Sequence, residues 1–174
     1  YGVIDFYRAC KAEGIKPIIG CEVYVAPRGR TRFQKAHEFD SESRHLVLLC
    51  RNEEGYRNLS YMVSQAFLEG FYIKPRIDMD LLREHCGGLI ACSACLAGEL
   101  PRLLLAGEYD QAKAVALEMQ SLFGPDGYYL ELQDHGIPSQ KQVNAGLRRI
   151  HEETGIPLIA TNDAHYLRRE DAEM

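Results

Sequence analysis

His45-Leu-Val-Leu-Leu-Cys50, followed by Arg51, Asn52 and the segment Glu53 to Phe67, sets the architecture of the chain. The run from His45 to Cys50 reads as a short apolar strand, buried on both faces if it lies centrally in a parallel sheet. Asn52 stands where a helix N-cap belongs. Beyond it, Leu59, Met62, Val63, Ala66 and Phe67 fall on one helical face, and Gly70 closes that helix. The unit is a strand, a cap and an amphipathic helix.

The same unit recurs in both directions. Upstream, Val3, Phe6, Tyr7 and Cys10 share a helical face that ends at Gly14, and Lys16 to Val25 is a β-branched, strand-like run. Ala26 to Ser43 is polar, contains Pro27 and Gly29, and reads as a loop of the length that tends to be functional or disordered. Downstream come a short helix over Asp78 to His85 and a strand over Gly88 to Cys92. Pro101 to Phe123 is helical with a break near Gly107, and Ala112, Val115, Ala116 and Met119 form its buried stripe. Tyr128 to Leu132 is a strand. Pro138 to Thr154 is a helix with Val143, Leu147 and Ile150 inward and Gly155 as its stop, and Ile156 to Thr161 is the last strand. Strand then helix, repeated about five times, predicts an α/β fold with a parallel sheet and right-handed crossovers. An open doubly wound sheet and a barrel both satisfy the pattern, and in both the chemistry gathers at strand C-termini.

At 174 residues the chain suits one domain, and its 46% hydrophobic and 26% charged residues are ordinary for a globular protein. No apolar run approaches the roughly 18 residues of a membrane span, and Tyr1 onward does not read as a signal peptide. The expectation is a cytoplasmic chain with no membrane partner. A net charge of -5 argues mildly against a free-standing DNA binder. The 6 cysteines are scattered, and Cys92-Ser93-Ala94-Cys95 is a lone CxxC, weak as a zinc or redox motif. Tyr1 to Phe6 reads as a helix already under way and Arg168 to Met174 as one beginning, so both ends look cut.

The polar residues beside the predicted strands are the candidates for chemistry. Glu22 interrupts an apolar run, where an unpaired carboxylate is costly to bury unless period-2 alternation turns it to solvent. His45 opens a strand and can equally be a simple strand edge. Cys95 follows a strand, and a small buried hydrophobe is the plain alternative. Glu131, Asp134 and His135 surround the end of another strand, with His135 read as a turn residue before a ligand. Asp163 and His165 leave the last strand with one residue between them, so strand alternation points both to one side. Carboxylate, imidazole and thiolate together suit divalent Zn, Mn or Fe. The alternative is that Asp163 caps a helix near Tyr166 and His165 is a hydrogen-bonded, half-buried residue. His37, His85 and His151 sit among surface charges and receive no role. P-loop, GxGxxG and GxSxG motifs are absent.

Six segments carry a resemblance to a known family: KPIIGCEVYVAP (Lys16 to Pro27), HLVLLCRNEEGYRNL (His45 to Leu59), LEGFYIKPRID (Leu68 to Asp78), GLIACSACLAGELPRLLL (Gly88 to Leu105), YLELQDHGIP (Tyr129 to Pro138) and IPLIATNDAHYLRREDA (Ile156 to Ala172). Together they resemble the PHP (polymerase and histidinol phosphatase) domain, in the branch found at the N-terminus of bacterial DNA polymerase III alpha subunits. The resemblance covers essentially all of residues 1–174, read as one partial PHP domain. It implies a distorted (β/α)7 barrel, here truncated at the N-terminus, whose strand ends hold a cluster of metal ions. Glu22, His45, Cys95, Asp163 and His165 fall on family ligand positions, whereas the family's opening HxH and a later Asp-His segment would precede Tyr1. For the parent protein it implies DNA-directed DNA synthesis with Mg, and partners that include DNA, the sliding clamp and an exonuclease subunit. For the domain it implies either a metal-dependent 3′→5′ proofreading exonuclease or a non-catalytic docking platform. A stand-alone PHP phosphatase fits less well, because LEGFYIKPRID belongs to the polymerase branch.

Overall fold

A computed structural model describes residues 2–173. Helix α1 (Val3–Ala12) precedes β1 (Gly20–Val25), the short α2 (His37–Asp40), β2 (Arg44–Cys50) and α3 (Glu53–Leu68). Then follow a hairpin of β3 (Phe71–Tyr72) and β4 (Lys74–Ile77), α4 (Met79–Glu84), β5 (Leu89–Cys92), α5 (Glu99–Leu105) and α6 (Tyr109–Phe123). The chain finishes with β6 (Tyr128–Leu132), α7 (Pro138–Thr154), β7 (Leu158–Ala160) and a 3-10 turn over Arg169–Glu173. The strands form one sheet in the order β3-β4-β1-β2-β5-β6-β7.

The α/β class holds, but the sheet is mixed where an all-parallel one is expected from the strand–helix alternation. Strand β2 runs antiparallel to both neighbours, β1 and β5. β1 is parallel to β4, and β5, β6 and β7 are parallel in turn. Hydrophobic periodicity reports which residues are buried and is blind to strand direction, so β2's reversal left no mark in the pattern. The hairpin β3–β4 was equally unmarked, being short and carrying Lys74, Pro75 and Arg76.

One sheet face is covered by helices. Val23, Val25, Leu46, Leu48, Leu89, Ala91, Tyr128 and Leu130 meet Leu59, Met62, Ala66, Leu104, Val115, Met119, Val143, Leu147 and Ile150 in a single core. Each fully buried Leu, Ile or Met contributes about 1.5–3 kcal/mol over the exposed state. Asn52 caps α3 as expected, its Oδ1 accepting from Gly55 N at 3.0 Å. The α1 stripe behaves otherwise. None of the residues of α1 is buried, and Ile4, Phe6 and Tyr7 remain exposed.

The polar segment after β1 is pinned, not loose. Arg76, 1% exposed, donates to the carbonyls of Gly70, Asp40, Arg32 and Gln34. Asp40, fully buried, receives Arg30 in a bidentate pair at 2.8 and 2.7 Å and Ala36 N at 2.7 Å. Asp78 caps α4 through Leu81 N and also accepts from the Arg32 backbone at 2.8 Å. Three buried charges thus hold a segment with too few apolar residues to hold itself.

Two outcomes follow. The Arg30 hydrogen bonds hold the Asp40 carboxyl at about 2, below its ordinary value near 3.9. Its contribution is therefore complete above about pH 4 and lost as pH falls towards 2. Urea unfolding should show Asp40→Asn destabilised at pH 7, with the gap to wild type closing between pH 4 and 2. A Cβ on Gly55 would lie 1.9 Å from the Gly88 carbonyl oxygen, so Gly55→Ala forces α3 off the turn before β5. We expect a loss of about 1–3 kcal/mol by the same measurement.

Candidate metal centre

The antiparallel register of β1 and β2 sets Tyr24 opposite His45 and Glu22 opposite Val47. Directly opposed residues share a face, as do alternate residues along a strand. Glu22, Tyr24, His45 and Val47 therefore lie together on the face away from the helices, while Val23, Val25, Leu46 and Leu48 enter the core. Val47 opposes Cys92, and Cys92 pairs with Tyr129, so the same face continues through β5 to Tyr129 and Glu131 of β6.

After β5 the chain turns sharply. Ala94 adopts the left-handed conformation at φ 64, which costs a non-glycine residue roughly 1–2 kcal/mol. The turn closes with Gly98 N donating to Cys95 O at 2.8 Å, and His45 N donates to Ala97 O at 3.2 Å. These bonds lay the Cys95 turn along the start of β2. His45 Nδ1 stands 3.0 Å from Glu22 Oε1 and 3.6 Å from Cys95 Sγ. One ligand atom from each of Glu22, His45 and Cys95 lies within 4.8 Å of the others, the only such metal-competent trio among the described residues. The Tyr24 ring, which no motif marked, meets the His45 ring edge-on with centroids 5.1 Å apart. Its one signal was its place two residues after Glu22 on an alternating strand.

The cluster is negatively biased. Burial pushes the Cys95 thiol up, the charges of Asp163 and Glu22 add to this, and the Ala97 backbone hydrogen bond opposes it. A cation among these donors would act the other way, because positive charge favours the thiolate. Cys92 is different in kind. It is buried, its thiol is pushed up to about 12 by burial and then by Glu131, and it fills space as a small hydrophobe. The CxxC spacing is thus not a paired site.

The structure does not bring Asp163 and His165 into the trio. β7 ends at Ala160, so strand alternation does not govern the residues after it. Asp163 is left-handed at φ 47. The His165 ring is largely exposed, with Nδ1 2.7 Å from the Asp163 carbonyl oxygen and 3.9 Å from its Oδ1. Asp163 nonetheless contributes charge at Cys95. His135 is occupied on both ring nitrogens. Its Nδ1 accepts from Gln140 Nε2 at 2.8 Å, which leaves Nε2–H to donate to Asn162 O at 2.7 Å. It ties the end of β6 to the end of β7.

A mixed sheet packed by helices on one face, with carboxylate, imidazole and thiol gathered on the other, defines an α/β domain with a candidate metal site. The chain belongs to the PHP domain family, whose pattern residues 1–135 match. Its similar relatives include the DNA polymerase III subunit alpha of Treponema pallidum, 47% identical over 173 residues, which cover 99% of this chain and 15% of that protein. Proteins of the same name from Thermus aquaticus and Borreliella burgdorferi are 46% and 48% identical over 172 residues, covering 99% of this chain and 14% and 15% of theirs. The chain thus spans about 15% of the length of the curated relatives it matches.

Gly98 is the tight point of the site. A Cβ there would lie 2.3 Å from Ser93 O and 3.1 Å from Cys95 O, both backbone atoms. Gly98→Ala should destabilise the domain by about 1–3 kcal/mol and shift the His45 imidazole resonances, as measured by urea unfolding and NMR.

Proposed function

We propose that this chain is the metal-binding part of a PHP domain in a bacterial DNA polymerase III alpha subunit, with Glu22, His45 and Cys95 as ligands joined by Asp163 and His165. The observation that carries the reading is the close approach of Glu22 Oε1, His45 Nδ1 and Cys95 Sγ on one sheet face. Three unlike donors this close together, with a thiol among negative charges, form a set that a divalent cation would stabilise. Mixed N, O and S donors suit first-row divalent ions, with Zn, Mn and Fe the candidates. When bound, such an ion supplies a water of lowered pKa and neutralises charge on a phosphodiester.

The chain's own residues do the rest. Tyr24 fixes the His45 ring by its edge contact. Glu22 Oε1, 3.0 Å from His45 Nδ1, and Cys95 Sγ, 3.6 Å from it, would hold the ion together with that ring. The proposed reaction is 3′→5′ hydrolysis at a mismatched DNA end, in a cytoplasmic replicase whose further partners include the sliding clamp and an exonuclease subunit. DNA synthesis itself, with Mg, belongs to parts of the parent protein outside this chain. No helix among the described residues is long and apolar enough to cross a membrane.

A second reading, a non-catalytic docking domain of the same polymerase, is favoured by one observation: the His165 ring is exposed and bonded back to its own segment. The stand-alone phosphatase draws no support from the relatives named above, which are DNA polymerase III alpha subunits.

The test uses the full-length protein that contains this chain. Metal analysis should find bound transition metal in the wild type, with occupancy strongly reduced in Cys95→Ser and His45→Ala. On a mismatched primer–template, metal-dependent 3′→5′ degradation should be lost in Asp163→Asn and His165→Ala. Bound metal without degradation would make this a docking domain, and absence of bound metal would sink the metal centre.

A further inference from the structure

Beside the trio lies a buried carboxylate to which the proposed ligand set gives no task. Glu131, 6% exposed, lies one residue before the end of β6, on the same sheet face as Glu22 and His45. Its hydrogen-bond partners among the described residues are neutral. Oε2 accepts from Ala94 N at 2.9 Å, and Oε1 accepts from Thr161 Oγ1 at 2.5 Å and from Gln133 Nε2 at 3.3 Å. Its own backbone N–H donates to Ser93 Oγ at 2.8 Å. A carboxylate with no cation partner is costly to bury, and this one is kept by donors that converge on it.

The origin of those donors gives the residue its role. Ala94 is the left-handed residue immediately before Cys95. Thr161 is the residue after β7, two positions before Asp163, and Gln133 Nε2 also reaches Thr161 Oγ1 at 3.3 Å. One side chain thus holds the turn that carries Cys95 with one oxygen and the segment that carries Asp163 with the other. We propose that Glu131 is a positioning residue: it clamps the Cys95 turn to the end of β7 and so sets the separation of the ligands that follow each. The consequence for metal rests on the metal-centre reading above, whereas the clamp itself does not. Neutral glutamine has the same shape but one acceptor oxygen, so Glu131→Gln turns an NH2 group towards one of the two donors.

Hydrogen exchange on the EDTA-treated full-length protein reads the clamp. In Glu131→Gln, residues 93–98 and 161–165 should exchange faster by about tenfold, with β2 and α7 unchanged. Unchanged exchange in either segment, or uniform acceleration through the core helices, would overturn the clamp. Cobalt(II) titration of the same proteins reads the consequence. Glu131→Gln should bind about 10–100-fold more weakly with a diminished thiolate-to-cobalt absorption. Thr161→Val should move in the same direction, and Thr161→Ser should match wild type. Equal affinity and spectrum in wild type and Glu131→Gln would overturn the positioning role. Failure of the wild type to bind cobalt would count against the metal reading alone, and exchange would still decide the clamp.

Discussion

The site depends on the reversal of β2. Strands β1, β4, β5, β6 and β7 run one way, and β2, wedged between β1 and β5, runs the other. Its first residues therefore stand at the rim where its neighbours finish. Were β2 parallel to them, His45 would lie at the opposite rim, a strand length of some 20 Å away, and no imidazole would reach Cys95. Cys95 follows the C-terminus of β5, and His45 reaches it from a strand's beginning.

That reversal demands a connection from the end of β1 back to a start on the same rim. The segment after β1 provides it without a hydrophobic core of its own. Arg76 binds carbonyls from it, Asp40 closes on Arg30 within it, and Asp78 anchors Arg32 while capping α4. Buried charges are costly unless hydrogen-bonded throughout, and here their lone pairs and protons are met by backbone groups a flexible loop would leave to water. This fixes where β2 begins, and with it His45.

On the other side of the site, strain is held locally. Ala94 and Asp163 are both left-handed residues other than glycine, one just before Cys95 and the other itself a candidate ligand. Such conformations persist where surrounding bonds over-determine them. At Ala94 the bonds come from Glu131, Ser93 and the Gly98 closure. At the Asp163 segment they come from Thr161, held by Glu131, and from the His135 bridge to Asn162.

Taken alone, the sequence determined most of the elements and their buried faces, with the α1 stripe and the β3–β4 hairpin as exceptions. The alternation of strand and helix, the Asn52 cap, the stripes at Ala112 to Met119 and Val143 to Ile150, and the stop at Gly155 follow from local spacing and cap chemistry, which act over a few residues. The candidate ligands Glu22, His45 and Cys95 were also legible, because polar groups in apolar runs require a reason and because the motifs around them resemble a known family. Strand direction, the pinning of the polar segment, the inertness of Cys92 and the turning away of His165 were decided by tertiary structure. Each depends on partners distant in sequence, such as Val47 against Cys92 or Glu131 against Ala94 and Thr161. Local periodicity records whether a side chain is buried; only the packed sheet decides what it is buried against.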